Sequence, residues 1–189
     1  MTSPRLRLAA LLLACASLAP HAHATQVRHL DTRALAIESS DIVVGRIAAT
    51  RSYWNDTHTK ILTDVSVEIA ESVKGAGPGT LVLTQLGGEV DGVRYTIPGC
   101  PAFRAGEEAL LFVWRDPRGR AQVNGLAQGK FEITRDPATG ARSVQRAMPG
   151  LAVRDARTLK LVPATETAPR IPLDELLNEV RRSLEEAGR

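Results

Sequence analysis

Along residues 61–69, apolar and polar positions alternate: Ile61, Thr63, Val65, Val67 and Ile69 fall on one side, Asp64, Ser66 and Glu68 on the other. A period of two is the mark of a half-buried strand. Residues 41–50 read differently, because the neighbouring Val43 and Val44 predict a strand buried on both faces, with Gly45 placed for a bulge or a close approach. Between these two strands, residues 51–60 read as a polar connection that contains Tyr53 and Trp54. Residues 109–115 form the most apolar run and predict a central strand, with Trp114 assigned to the core. Gly87-Gly88 and Asp91-Gly92 supply turn chemistry for a hairpin around residues 81–97. Further short strands are predicted at 121–124, 130–134 and 142–145, and the β pattern fades beyond Met148.

The helical period shows in two places. Residues 30–39 carry Leu30, Ala34 and Ile37 at helical spacing behind Asp31 and Thr32, both suited to an N-cap. Near the other end, Leu173, Leu176, Leu177, Val180 and Leu184 form an apolar stripe opened by Pro172, with Asp174 and Glu175 in its first turn. That stripe either covers an open edge of the sheet or docks onto a partner; Arg181 with Glu185 and Arg182 with Glu186 are spaced for surface pairs. The fold expected is mainly β: a small antiparallel OB-like barrel with a short N-terminal helix and a C-terminal amphipathic helix, a sandwich being the alternative.

The first residues change the setting. Arg5 and Arg7 precede an apolar stretch over residues 8–18, and Ala22-His23-Ala24 forms a small-residue cleavage site, so residues 1–24 read as a signal peptide. The apolar stretch is shorter than the roughly 20 residues a membrane span requires. A second reading takes Leu12-Leu13-Ala14-Cys15 as a lipobox that would anchor the chain through an acylated Cys15. The expected division is then residues 1–24 signal, 25–162 barrel, 163–172 a Pro/Thr/Ala-rich linker and 173–189 helix, the protein being exported to the periplasm or the medium.

Charge narrows the partners. Removing Arg5 and Arg7 from the 24 basic residues leaves 22 against 21 acidic ones, too even a balance to draw nucleic acid, and no later segment predicts a transmembrane span. Another exported or envelope protein is the expected partner. Of the two cysteines, Cys15 lies in the leader and Cys100 stands alone, so no internal disulfide supports the domain.

Three segments taken in order carry a resemblance: residues 41–47, the strand ending in Val73-Lys74-Gly75, and residues 103–112 from Phe103-Arg104-Ala105-Gly106 to Phe112. Together, over roughly residues 31–135, they resemble bacterial exported domains similar to the tissue inhibitors of metalloproteinases and netrin modules, which implies an OB-type barrel. The animal inhibitors chelate a protease zinc through a disulfide-held N-terminal cysteine. A chain beginning at Thr25 has no such group, so any inhibitory role implied here is noncovalent and of another mechanism.

Enzyme motifs are sparse. His29 and His58 are the histidines beyond the leader, and the chain has no HExxH, CxxC, GxSxG or Walker pattern. Asp56, His58 and Asp64 offer oxygen and nitrogen ligands in one polar stretch, but zinc requires at least three ligands and a supporting shell, so no metal or cofactor is expected. Cys100, set between Pro98-Gly99 and Pro101, is read as a packing residue; an envelope hydrolase or redox enzyme using Cys100 or acidic residues is the alternative. The Gly125-to-Gly129 segment reads as a plain connection between strands. Recognition is assigned to Tyr53 and Trp54 with Arg51 and Asp56 beside them, in a non-enzymatic binding domain; the opposing reading has Trp54 plug the barrel end.

Overall fold

The computed structural model describes residues 25–75, 77–155, 157–162 and 167–188. The expected signal peptide, Cys15 within it, and residues 163–166 of the expected linker lie outside the described residues. The strands are β1 (Thr25–Arg28), β2 (Asp41–Trp54), β3 (Ile61–Lys74), β4 (Gly79–Leu86), β5 (Gly88–Val90), β6 (Val93–Tyr95), β7 (Glu108–Arg115), β8 (Ala121–Val123), β9 (Lys130–Arg135), β10 (Arg142–Gln145), β11 (Leu151–Arg154), β12 (Leu161–Val162) and β13 (Ile171–Pro172). Two α-helices join them, α1 (Thr32–Glu38) and α2 (Leu173–Ala187), with a 3-10 turn at Leu126–Gly129.

Five strands close a barrel in the order β7-β2-β3-β4-β8 and back to β7. All neighbours are antiparallel except β4 and β8, which meet in parallel at Leu83 and Ala121. This is the small OB-like barrel expected, mainly β, with one short and one longer helix. Closure needs a strongly curved strand, and β2 supplies it over 14 residues with register shifts at Ile42/Val43, Val44/Gly45 and Ile47/Ala49. Gly45 sits between two of these shifts, where a Cβ would stand 2.6 Å from Val67 Cγ1 and 2.7 Å from Glu68 O. Only glycine lets β2 lie that close to β3.

The Val43-Val44 pair is buried on both faces because two cores meet at β2. Val43, Ile47, Val65, Val67, Leu83, Leu111 and Val113 fill the barrel interior. Ile42, Val44, Leu110 and Phe112 point the other way, against Leu35 and Ala36 of α1 and Leu173, Leu176, Leu177 and Val180 of α2. The C-terminal stripe therefore covers this chain's own sheet. Asp31 caps α1, its Oδ1 accepting from Ala34 N–H at 2.7 Å. The expected Arg181–Glu185 and Arg182–Glu186 pairs are replaced by longer links: Arg181 bonds Glu71 at 2.8 Å, and Glu186 bonds Arg33 of α1. An exposed pair gains little from sequence spacing alone.

Four expectations are corrected. Residues 51–54 are the end of β2, with Tyr53 paired to Leu62 and Trp54 to Ile61, because the strand continues outward once its buried half is built. The hairpin is smaller than 81–97: β5 and β6 pair around Asp91-Gly92 as a separate two-stranded sheet. Beyond Met148 the β structure persists, with β11 pairing parallel to β1 and antiparallel to β12. Within the expected linker, β13 pairs with β10 and Thr167 bridges Ala147. Among the described residues no helix is long and apolar enough to cross a membrane.

Candidate functional site

Strand alternation sorts the far half of β2, β3 and β4 into two sets of side chains. Tyr53, Leu62 and Leu86 make one outward cross-strand row, and Arg51, Asp64 and Thr84 make the next. Ser52, Thr63 and Gln85 form an inward row at the barrel mouth, beyond Val65 and Leu83 of the core.

Tyr53, Leu62, Thr84 and Leu86 of these rows floor a recess of about 510 Å3, walled by Asn55 to Lys60 on one side and by Arg118 and Arg120 on the other. Asp64, beside the floor, ties two of its residues together: Oδ1 accepts from Tyr53 Oη at 3.1 Å and from Thr84 Oγ1 at 2.9 Å. Partial burial, and then the nearby carboxylate of Asp64, push the Tyr53 phenol above its ordinary pKa, so it stays a donor. One side chain pins each wall. Asn55 Oδ1 accepts from the N–H groups of Thr59 and Lys60 at 2.8 and 2.9 Å. Asp116 Oδ1 accepts from Arg118 and Arg120 N–H at 2.8 and 2.9 Å, while its Oδ2 holds the Arg120 guanidinium. Lys60 and Arg118 line the recess with no ion pair among the described residues, and Leu86 is 43% exposed on its floor.

The sequence-assigned residues divide across this geometry. Tyr53 and Asp56 line the recess, and Arg51 stands over the Tyr53 ring at 5.8 Å. Trp54 does not join them: as the next residue of a strand it takes the opposite face, half-buried, with its ring stacked on His58 at 6.2 Å. Trp114 is likewise not a core residue. It lies 36% exposed at an outward position paired to Gln122, past the part of β7 that the helices cover.

The mouth is a cavity of about 560 Å3, roofed by the β5–β6 hairpin and residues 97–103. Gly88 lets the hairpin settle there, since a Cβ on it would come within 2.4 Å of Thr63 Oγ1 and 2.5 Å of Ser52 Oγ. Lys130 fixes the roof from below: its Nζ lies 2.7 Å from Glu107, bonds Ala102 O, and sits 4.7 Å from the centre of the Phe103 ring.

Cys100 lines the mouth and an adjoining recess of about 220 Å3. Burial holds its thiol above the ordinary pKa, and neither His29 nor His58 lines either space. Asp56, His58 and Asp64 do not converge as a ligand set: among the described residues no group of three His, Cys, Asp or Glu side chains gathers as a metal site requires. Sequence reasoning missed Ser52, Gln85, Arg118 and Arg120; the inward polarity of Thr63 was the signal available for the mouth.

The closed five-strand order defines a small OB-like barrel, with the outer recess and the mouth on its uncovered half. Scans against protein-family models, curated proteins and solved structures returned no match to the chain.

Proposed function

We propose that this chain is an exported, non-enzymatic interaction domain that binds another exported or envelope protein through the outer recess. The observation that carries the reading is the Tyr53–Leu62–Leu86 row lying open between two walls already held in shape by Asn55 and Asp116. A tyrosine on the floor with arginine at the edge matches the residue types enriched at interface hot spots. Strand faces bounded by the loops after the first and fourth barrel strands are also where OB-type barrels take ligands. Export is supported by the basic, apolar and small-residue order of residues 1–24. Binding is favoured over thiol chemistry by the raised pKa of Cys100 and by the absence, among the described residues, of a histidine lining its two cavities.

The test is capture from a native envelope fraction by the wild-type domain, Tyr53→Ala and Leu86→Asp, with melting curves as a fold control. Loss of a protein partner in both folded variants supports the reading, with a cost of about 2 kcal/mol for a hot-spot residue. Equal capture by all three overturns it.

A further inference from the structure

A buried amide with no hydrogen-bond partner is costly unless something completes it. Gln85 is 7% exposed, lines the mouth cavity, and its Nε2 has no hydrogen-bond partner. It occupies the position on β4 that continues the inward row of Leu81 and Leu83, where an aliphatic side chain would simply extend the core. An unsatisfied buried donor costs about 1–3 kcal/mol, so a glutamine here is explained by a ligand that accepts from it. Its terminal torsion is broad, so the amide can swing toward the cavity at little cost.

The hydroxyls beside it are already oriented. Thr63 Oγ1 donates to Gly87 O at 2.6 Å, which spends its proton. The 2.8 Å contact between Ser52 Oγ and Thr63 Oγ1 must then run from Ser52 to Thr63. Ser52 is left with lone pairs and no proton to give. The mouth thus offers a donor at Gln85 and an acceptor at Ser52, on either side of Thr63 in one cross-strand row. Its lining charges, Glu89 and Arg94, pair with each other at 2.7 Å and leave no net charge to balance.

We infer that the barrel mouth is a second binding site, separate from the outer recess, and that it takes a small neutral molecule bearing an amide. The ligand carbonyl accepts from Gln85 Nε2 and its N–H donates to Ser52 Oγ, with its carbon skeleton against Val65, Ile97 and Phe103. A volume of about 560 Å3 suits a molecule of two sugar or two amino-acid units. Amides of that size come as acetamido sugars or as short peptides, and the chemistry recognised is the same.

Calorimetric titration of the full chain with N,N′-diacetylchitobiose, cellobiose and a doubly blocked alanine dipeptide tests this. Binding of the acetylated disaccharide or the dipeptide, and not of cellobiose, is expected and tells the two sources apart. Gln85→Leu should keep or raise the melting temperature, because it removes an unsatisfied donor, while weakening binding by about tenfold or more. As a readout independent of that variant, the bound probe should slow alkylation of Cys100 in the wild-type protein. Binding of cellobiose as tight as that of the amide probes, no binding of either amide probe at millimolar concentration, or unchanged affinity in folded Gln85→Leu each overturns the inference.

Discussion

The two halves of β2 are one strand in two environments. Residues 41–45 are buried throughout, with the barrel core on one face and α1 and α2 on the other. Residues 49–54 have solvent on the outward face and a cavity of mixed polar and apolar lining on the inward one, and none of them is fully buried. The covered half takes Ile, Val, Leu and Phe from every element that touches it; the open half mixes Ser, Thr, Arg and Gln with the part-exposed Tyr53, Trp54, Leu62 and Leu86. Apolar burial stabilises by roughly 25 cal/mol per Å2 removed from water, so stability concentrates where both faces are dry. The open half is relieved of that duty and holds groups that a core would not keep.

The comparison breaks most visibly at Phe112 of β7, which lies beside Ile42 of β2, is fully buried between the sheet and the helices and tilts against Phe131 at 5.7 Å. Phe112→Ala should cost about 3–5 kcal/mol, read as a large fall in the denaturant midpoint. Gln128 comes next. It is fully buried and completely bonded, its Oε1 accepting from Leu30 N at 2.9 Å and its Nε2 donating to Arg28 O and Gly125 O at 3.0 and 3.2 Å. Gln128→Leu removes the side-chain partner of Leu30 N and Arg28 O and should cost about 3 kcal/mol, whereas Gln85→Leu, at a buried but unpartnered amide, should cost nothing. If the two variants melt alike, the contrast between satisfied and unsatisfied glutamines is wrong.

Leu86→Asp, on the open half, should move stability by no more than about 0.5 kcal/mol. A larger loss would place the recess floor in the core. The smallest effect concerns acid. Backbone N–H groups, Thr139 for Asp136 and Thr158 for Asp155, together with the hydroxyls of the same threonines, hold both carboxyls below the ordinary aspartate value of 3.8. A depressed folded pKa gives stability that is present above the unfolded pKa and is lost as pH falls through the folded one. The melting-temperature gap between wild type and Asp136→Ala should hold steady from neutral pH to about 5 and close below 4. A gap that widens in acid would contradict the turn geometry.

Much of the covered half was legible in the chain. Adjacent valines at 43 and 44 announce two dry faces, Asp31 announces a helix start, and the leucine stripe from Leu173 announces a face to be buried. The open half was harder to read for a physical reason. Polar residues in a strand end look like a loop, so Tyr53 and Trp54 read as neighbours on one surface until pairing with Leu62 and Ile61 sends them to opposite faces. Gln85 could be placed inward by parity with Leu81 and Leu83, yet parity does not tell a bonded glutamine from a stranded one. The link from Gln128 to Arg28 and Leu30 spans about a hundred positions and has no local signature. Asn55 and Asp116 reveal their anchoring roles only once the loops are closed.

The claim that recognition resides on the open half is tested most directly by placing a photo-crosslinking residue at position 86 in one protein and at position 37 in another, within the native envelope. Leu86 and Ile37 are equally exposed apolar residues, at 43% and 41%, but one floors the recess and the other lies on α1 over the covered half. The account predicts a discrete protein adduct from position 86 and none from position 37. An adduct from position 37 alone, the same adducts from both, or none from position 86 would contradict it.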